Sequence, residues 1–271
     1  MAGHVIHTFL SNLKKYDIKN VAYPSKLNDT SIVLDVENRD KVKTLVKEFK
    51  PDVIINCIGM LNKACDENPD KAIYVNSFFP NYLSKLAKEN SSKVIHLSTD
   101  CVFSGKKGSY VETDFRDGND VYSRSKALGE LINDRDLTFR TSIIGPELNM
   151  NGLGLFCWFM KQSGAVSGYS DVYWTGVTTL ELARAIDKAI DNNLVGLYHL
   201  VPSSKISKYD LLKLISKIWN KADVEIKKDS NKKVDKSLIN TRKDFDFKVR
   251  NYETMLLELF NWIKDNKKLL K

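Results

Sequence analysis

Two segments, Val94-Ile-His-Leu-Ser-Thr-Asp-Cys-Val-Phe-Ser-Gly105 and Asp120-Val-Tyr-Ser-Arg-Ser-Lys-Ala-Leu-Gly-Glu130, decide how this chain folds. Val94, Ile95 and Leu97 read as a buried strand whose end carries two hydroxyls and an acid, Ser98, Thr99 and Asp100. The second segment opens a helix in which Tyr122 and Lys126, four residues apart, share one face. A nearby cation favours a phenolate, so the phenol becomes a better proton donor and acceptor near neutral pH. Thr99 or Ser98 can hold a substrate oxygen against that phenol. Together these parts predict a proton-transfer site suited to reducing a carbonyl or oxidising an alcohol. Tyr-x-x-x-Lys alone is weak in a chain with 11 Tyr, where a solvated helical face matches it by chance. The hydroxyl cluster before it, and helix-forming Ala127-Leu128-Gly129-Glu130 after it, give the spacing its weight.

Length and composition bound the rest. At 271 residues and 42% hydrophobic content, the chain is long enough for one large domain or a core with a smaller lobe. No apolar run approaches the roughly 18 residues of a membrane span, and MAGHVIHTFL lacks the features of a secretory signal. Four cysteines (Cys57, Cys65, Cys101, Cys157) show neither CxxC nor Cys/His metal spacing, so reduced thiols in a cytoplasmic protein without a metal are expected. The net charge of +8 comes from Lys spread along the chain and interleaved with acids. With no zinc-finger or RNA-recognition signature beside it, nucleic acid is not an expected partner. Attraction of an anionic small molecule is.

Ser98-Thr99-Asp100-x-Val102-Phe103-x-Gly105 followed by Tyr122-x-x-x-Lys126 resembles the extended short-chain dehydrogenase/reductases, and within them the dTDP-4-dehydrorhamnose reductases and related nucleotide-sugar reductases. The resemblance covers most of the chain. It implies an α/β fold with a doubly wound, Rossmann-like parallel sheet and a small C-terminal substrate lobe. Residues 1–145 would form the dinucleotide-binding domain, N-terminally incomplete, and 146–271 mainly the substrate lobe, with about 174–201 returning to the cofactor domain. Thr99, Tyr122 and Lys126 would be catalytic, with Tyr122 and Lys126 also touching the cofactor. Thr99, Asp100 and Arg140 would meet substrate, Arg140-Thr141-Ser142 matching the relatives' Arg-Thr-Ser. The Trp that often follows in rhamnose-type reductases is Ile143 here, which weakens the match to that sugar.

Along the cofactor half, Ala2-Gly3-His4 with Val5, Ile6, Phe9 and Leu10 reads as the first turns of an amphipathic helix. Gly3 matches only the last glycine of the relatives' G-x-x-G-x-x-G turn, so Met1, Ala2 and Gly3 would approach the pyrophosphate at that helix N-terminus. The first strand and two glycines have no counterpart, and their loss would open the middle of the parallel sheet. Translation starting upstream, with Met1 internal, is favoured over a truncated product. No acid follows the Asn20–Tyr23 strand and Lys26 lies just beyond it, which favours NADP(H) over NAD(H); an exposed Lys26 without a role explains it as simply. By resemblance Asp35 and Val36 sit beside the adenine, Ile58, Gly59 and Leu61 pass under the cofactor, and Asn76 braces the site from a long helix running through Lys88.

Loop 104–120 reads as mobile cover on the substrate side, with Glu112 and Asp114 matching an E-x-D pattern of relatives or merely solvated. Leu137–Gly145 reads as one strand with its exit. Phe156, Trp158, Phe159, Tyr169, Tyr173 and Trp174 either line a nucleotide-sugar pocket or pack the lobe. Thr178 or Thr179 caps a helix, and His199 is a core histidine. The expected activity is NADPH-dependent reduction of the 4-keto group of a nucleotide-linked 6-deoxyhexose in surface polysaccharide synthesis, with a homodimer possible. A non-catalytic nucleotide-binding regulatory subunit and a nucleotide-sugar epimerase are the alternatives. A dehydratase is disfavoured because Cys101 stands where such enzymes place Glu after Asp100.

Overall fold

The computed structural model describes residues 2–148, 152 and 154–266. In chain order these form α1 (Ala2–Asn12), β1 (Val21–Ala22), β2 (Ile32–Val33), α2 (Arg39–Phe49), β3 (Val53–Asn56), α3 (Asn62–Glu67), α4 (Pro69–Ile73), α5 (Phe79–Glu89), β4 (Lys93–Ser98), α6 (Val121–Leu128), β5 (Leu137–Arg140) and β6 (Ile143–Ile144). They continue with α7 (Leu155–Met160), β7 (Gly164–Trp174), β8 (Val177–Thr178), α8 (Thr179–Asp191), β9 (Gly196–His199), β10 (Ile206–Ser207), α9 (Lys208–Trp219), β11 (Val224–Asp235) and α10 (Tyr252–Asp265). A central sheet, β3-β4-β5-β9, is parallel throughout. The fold is α/β and Rossmann-like.

The sheet is buried on both faces because strand side chains alternate. In β4, Val94 joins one core with Val42, Val46, Leu83 and Leu86 of α2 and α5. Its neighbour Ile95 joins the opposite core with Ala2, Ile6 and Leu10 of α1 and Leu182 and Ile186 of α8. Ala2, Ile6 and Leu10 are spaced by four, so one stripe of α1 faces the sheet. Val5, on the adjoining stripe, meets Leu180 and Leu259.

β1 and β2 pair in parallel with each other (Val21 opposite Ile32), yet no described strand links them to the central sheet. The two therefore form a small two-stranded sheet of their own. The stretch from residue 137 to 145 is two strands rather than one. β5 pairs with β4 and β9, whereas β6 pairs with β8. The expected long helix through Lys88 is likewise broken, with α3 and α4 followed by a π-helical turn, Tyr74–Phe78, before α5.

The third layer is the mixed sheet β10-β7-β11. β11 runs parallel to β7 with an irregularity between Asp229 and Lys233, and its many exposed Lys side chains blunt a sheet edge. Phe156, Phe159 and Trp174 are buried with Leu211, Ile215 and Met255, in the same apolar cluster that includes Ile95 and Leu137 of the central sheet. Trp158 and Tyr169 are exposed. Half of the aromatics considered for a pocket are thus packing residues.

Candidate active site

Thr99 ends β4 in extended conformation and caps a single 3-10 turn, Asp100–Val102. Its Oγ1 accepts the Cys101 N–H at 3.1 Å and donates to Asp100 Oδ1 at 3.2 Å. The Tyr122 hydroxyl hydrogen-bonds to Thr99. Across from the strand end, Asp120 caps α6 by accepting the Ser123 N–H at 2.6 Å, which sets the first turn carrying Tyr122. The structure therefore brings Thr99, Asp100, Tyr122 and Lys126 into one place.

The electrostatics differ from the expectation that Lys126 would depress the phenol. Burial raises the Tyr122 pKa above its ordinary value; the thiol of Cys101, Asp100 and Cys65 add to this, and only the Thr99 hydrogen bond acts the other way. Tyr122 is a protonated acid at neutral pH. The Lys126 amine is turned to the Leu97 carbonyl at 2.6 Å and lies 3.4 Å from His96 Nε2. Burial pulls its pKa down to about 8, against Glu130 and Cys65, which act upward.

The π-helical turn holds α6 in position. Asn76 Nδ2 donates to Ser125 Oγ at 3.1 Å, and Ser77 Oγ donates to the Ser125 carbonyl at 2.7 Å. The same Asn76 accepts the Met60 N–H at 2.9 Å and donates to the Met60 carbonyl at 3.1 Å, tying α6 to the loop after β3. Ile58, Gly59 and Leu61 of that loop are exposed.

The other cofactor-side residues also follow strand ends. Asp35 Oδ1 accepts the Glu37 N–H at 3.0 Å, and the Val36 carbonyl accepts from Tyr74 Oη at 3.0 Å. Asp35 borders a cleft of about 760 Å³ with Arg39 and Tyr82. A second cleft of about 880 Å³ lies behind α6 at Leu128 and Glu130, away from Thr99, Tyr122 and Lys126. A Cβ placed on Gly3 would lie 3.5 Å from that of Cys57, so α1 begins against the end of β3. No acid occupies its first turn, which leaves the helix N-terminus open to an anion. Met1 lies outside the described residues.

Arg140 is 1% exposed, and its Nε and Nη2 bind Glu130 at 2.8 and 2.6 Å while Nη1 donates to His199 Nε2 at 2.8 Å. These bonds hold the guanidinium inside the protein, against Glu130 and His199. Loop 104–120 is a correction. Glu112 accepts from the His199 N–H and from the Thr241 backbone and hydroxyl, and Asp114 pairs with Lys107. Tyr110 pairs with Leu238 and receives bonds from the Gly105 and Lys107 N–H groups. The loop is stapled rather than free. His199 is the expected core histidine, its Nδ1 donating to the Ile239 carbonyl at 2.9 Å.

His96 and Lys208 were not legible as site residues. Asn56 was legible by resemblance only as the start of the segment that passes under the cofactor, not as a partner of His96; His96 read as an ordinary strand position, and Lys208 as the opening of a helix. Lys208 lies 5.1 Å from the centre of the Trp174 ring; burial lowers its pKa, and Asp100 and Cys101 act upward on it. More than 100 residues separate it from Asp100, so no local pattern could join them.

The family described as RmlD substrate binding domain matches residues 2–261. Among named relatives, the dTDP-4-dehydrorhamnose reductase of Aggregatibacter actinomycetemcomitans is 31% identical over 189 residues, 65% of this chain and 64% of that protein. The Salmonella typhimurium protein of the same name is 30% identical over 204 residues, 71% of this chain and 68% of its own. The chain thus spans close to two thirds of these relatives. A solved dTDP-4-dehydrorhamnose reductase from Bacillus anthracis, in complex with NADP, superposes with a TM-score of 0.80 at 20% identity, covering 95% of each chain, which speaks for the fold. With nearly its whole length matched, the chain belongs to the RmlD substrate binding domain family.

Proposed function

We propose that this protein is a nicotinamide-dependent reductase of the short-chain dehydrogenase/reductase type, reducing the 4-keto group of a nucleotide-linked 6-deoxyhexose for surface polysaccharide synthesis. The observation that carries it is the protonated phenol of Tyr122 beside Thr99, at a strand end that also presents Asp100. The residues fit a dinucleotide along the ends of β2, β3 and β4, where ligands of open parallel sheets bind. Gly3 at the start of α1, Asp35 and Val36, exposed Ile58, Gly59 and Leu61, and Lys126 would hold it. When bound in reduced form, that group supplies hydride. NADP(H) is favoured over NAD(H) because exposed Lys26, not an acid, follows β1.

Tyr122 gives its proton to the alkoxide that develops on the sugar. Thr99 and the phenol together hold the ketone oxygen, with Thr99 redirecting its hydroxyl from Asp100 to that oxygen, the preorganised stabilisation of an oxyanion site. Asp100 orients Thr99. Lys126 lies behind the phenol on the same helical face and faces the cofactor side. Lys208 gives the cleft a cation toward an anionic substrate. No helix among the described residues is long and apolar enough to cross a membrane.

The test is Tyr122→Phe assayed with NADPH and a dTDP-4-keto-6-deoxyhexose. Turnover should fall at least ~100-fold, the scale of a lost general acid, with cofactor affinity changed only a few-fold. Unchanged turnover would sink the assignment. A non-catalytic nucleotide-binding subunit is the second reading, favoured by the separation of β1-β2 from the central sheet. NADPH fluorescence titration separates the two: saturable binding supports the reductase, and binding of the sugar nucleotide without NADPH supports the subunit.

A further inference from the structure

His96 is fully buried between Asn56 and Lys126, and its hydrogen bonds determine its tautomer. Asn56 Oδ1 accepts the Ile58 N–H at 3.1 Å, which fixes the amide orientation. The Asn56 Nδ2 group therefore faces His96 Nδ1, at 3.1 Å. An amide nitrogen only donates, so Nδ1 accepts and the ring proton resides on Nε2. That Nε2–H points at the Lys126 amine 3.4 Å away. An ammonium has no lone pair and would meet a donor with a donor. A neutral amine accepts from Nε2–H and still donates to the Leu97 carbonyl at 2.6 Å.

We infer that His96 is a positioning residue for the proposed reductase: locked by Asn56 as the Nε2–H tautomer, it selects the neutral amine form of Lys126 in the cofactor-free protein. Other groups around Lys126 do not cancel this. Glu130, just past the end of α6, is held by Arg140, Arg116 and Ser98. Cys65 on α3 remains a thiol, its pKa raised chiefly by burial. Tyr122 and Cys101 stay protonated for the same reason. Asp120 is spent on capping α6, and Asp100 faces Thr99 and Lys208. Burial acts in the same direction as His96 on Lys126 and forces His96 itself to remain neutral. The consequence for catalysis is that Lys126 would hold its charge more firmly once a bound cofactor's ribose replaced this arrangement.

The inference depends on the proposed reductase only for that consequence; its test needs no turnover. In protein labelled with ¹⁵N-histidine, the resonance lost in His96→Gln should show a protonated Nε2 and an unprotonated Nδ1. With ¹³C-labelled lysine, the Lys126 resonance should titrate below the ordinary lysine range. Asn56→Asp should reverse the tautomer, because a carboxylate accepts from Nδ1–H, and raise the Lys126 titration by at least about one pH unit. In a His96→Leu background the same Asp should move it much less. A protonated Nδ1 in the wild-type protein, or equal shifts in both backgrounds, would overturn the inference. If Asn56→Asp does not fold, the wild-type tautomer still decides. An inactive protein with the expected tautomer would count against the reductase and not against the lock.

Discussion

Arg140 and Glu130 have left water almost completely, with side chains 1% and 0% exposed. Glu130 also binds Arg116 at 3.0 Å and accepts from Ser98 Oγ at 2.7 Å, the residue next to Thr99. Removing one partner leaves an uncompensated charge inside, which costs about 3–5 kcal/mol. Arg140→Ala should therefore destabilise the protein by that amount in urea unfolding, whereas a matched apolar pair at 130 and 140 should cost far less. Burial alone would raise the Glu130 pKa, but Arg140, Ser98 and Arg116 bring it below the ordinary value. Its stabilisation is present above an unfolded pKa of about 4.3 and is lost as pH falls through the folded value. Arg-Thr-Ser is legible as a motif, and a buried guanidinium is not. Sequence shows the charge, while burial and the partner ten residues away decide that it is structural.

At the scale of elements, the catalytic helix is shorter than its pattern. Ala127-Leu128-Gly129-Glu130 reads as helix, but α6 ends at Leu128 with Gly129 as its cap. A Cβ on Gly129 would sit 1.9 Å from the carbonyl oxygen of Asn76, so only glycine lets α6 approach the π-helical turn this closely. Gly129→Ala must push that turn away and loosen the hold of Asn76 on Met60. It should cost about 1–3 kcal/mol, as overpacking does, and weaken NADPH binding several-fold through the loop after β3. Urea unfolding and fluorescence titration would measure both, and an unchanged NADPH affinity would separate the turn from the cofactor side. The π turn is invisible in a local reading because one inserted residue leaves the apolar spacing nearly intact.

For the whole molecule, three histidines are buried neutral. Burial lowers His4 and His199 to about 4, Arg140 adding to the effect at His199, and His96 lies well below its ordinary value chiefly through burial. The unfolded chain, with histidine near 6.5, binds about three more protons between pH 6.5 and 4. Stability must fall as pH is lowered through that window, by up to ~4 kcal/mol per pH unit. Urea midpoints at pH 7 and pH 5 would check the sign. A flat profile would mean that these rings titrate normally. The same burial follows from one continuous apolar core that joins α1, the central sheet and α9 and α10. The sheet β10-β7-β11, with α9 and α10, is packed onto the central sheet rather than tethered to it.

The amino-acid order alone determined the strand ending in Ser98-Thr99-Asp100 and the one-turn spacing of Tyr122 and Lys126, the motif whose resemblance implied the parallel α/β class. These depend on local periodicity, which neighbouring residues carry among themselves. Only the tertiary structure decided that the phenol is raised rather than lowered, that Arg140 serves Glu130, that Lys208 faces Asp100, and that Asn56 sets the His96 ring against Lys126. Each depends on burial or on contacts between residues far apart in sequence, and desolvation has no magnitude until the chain has closed around the group.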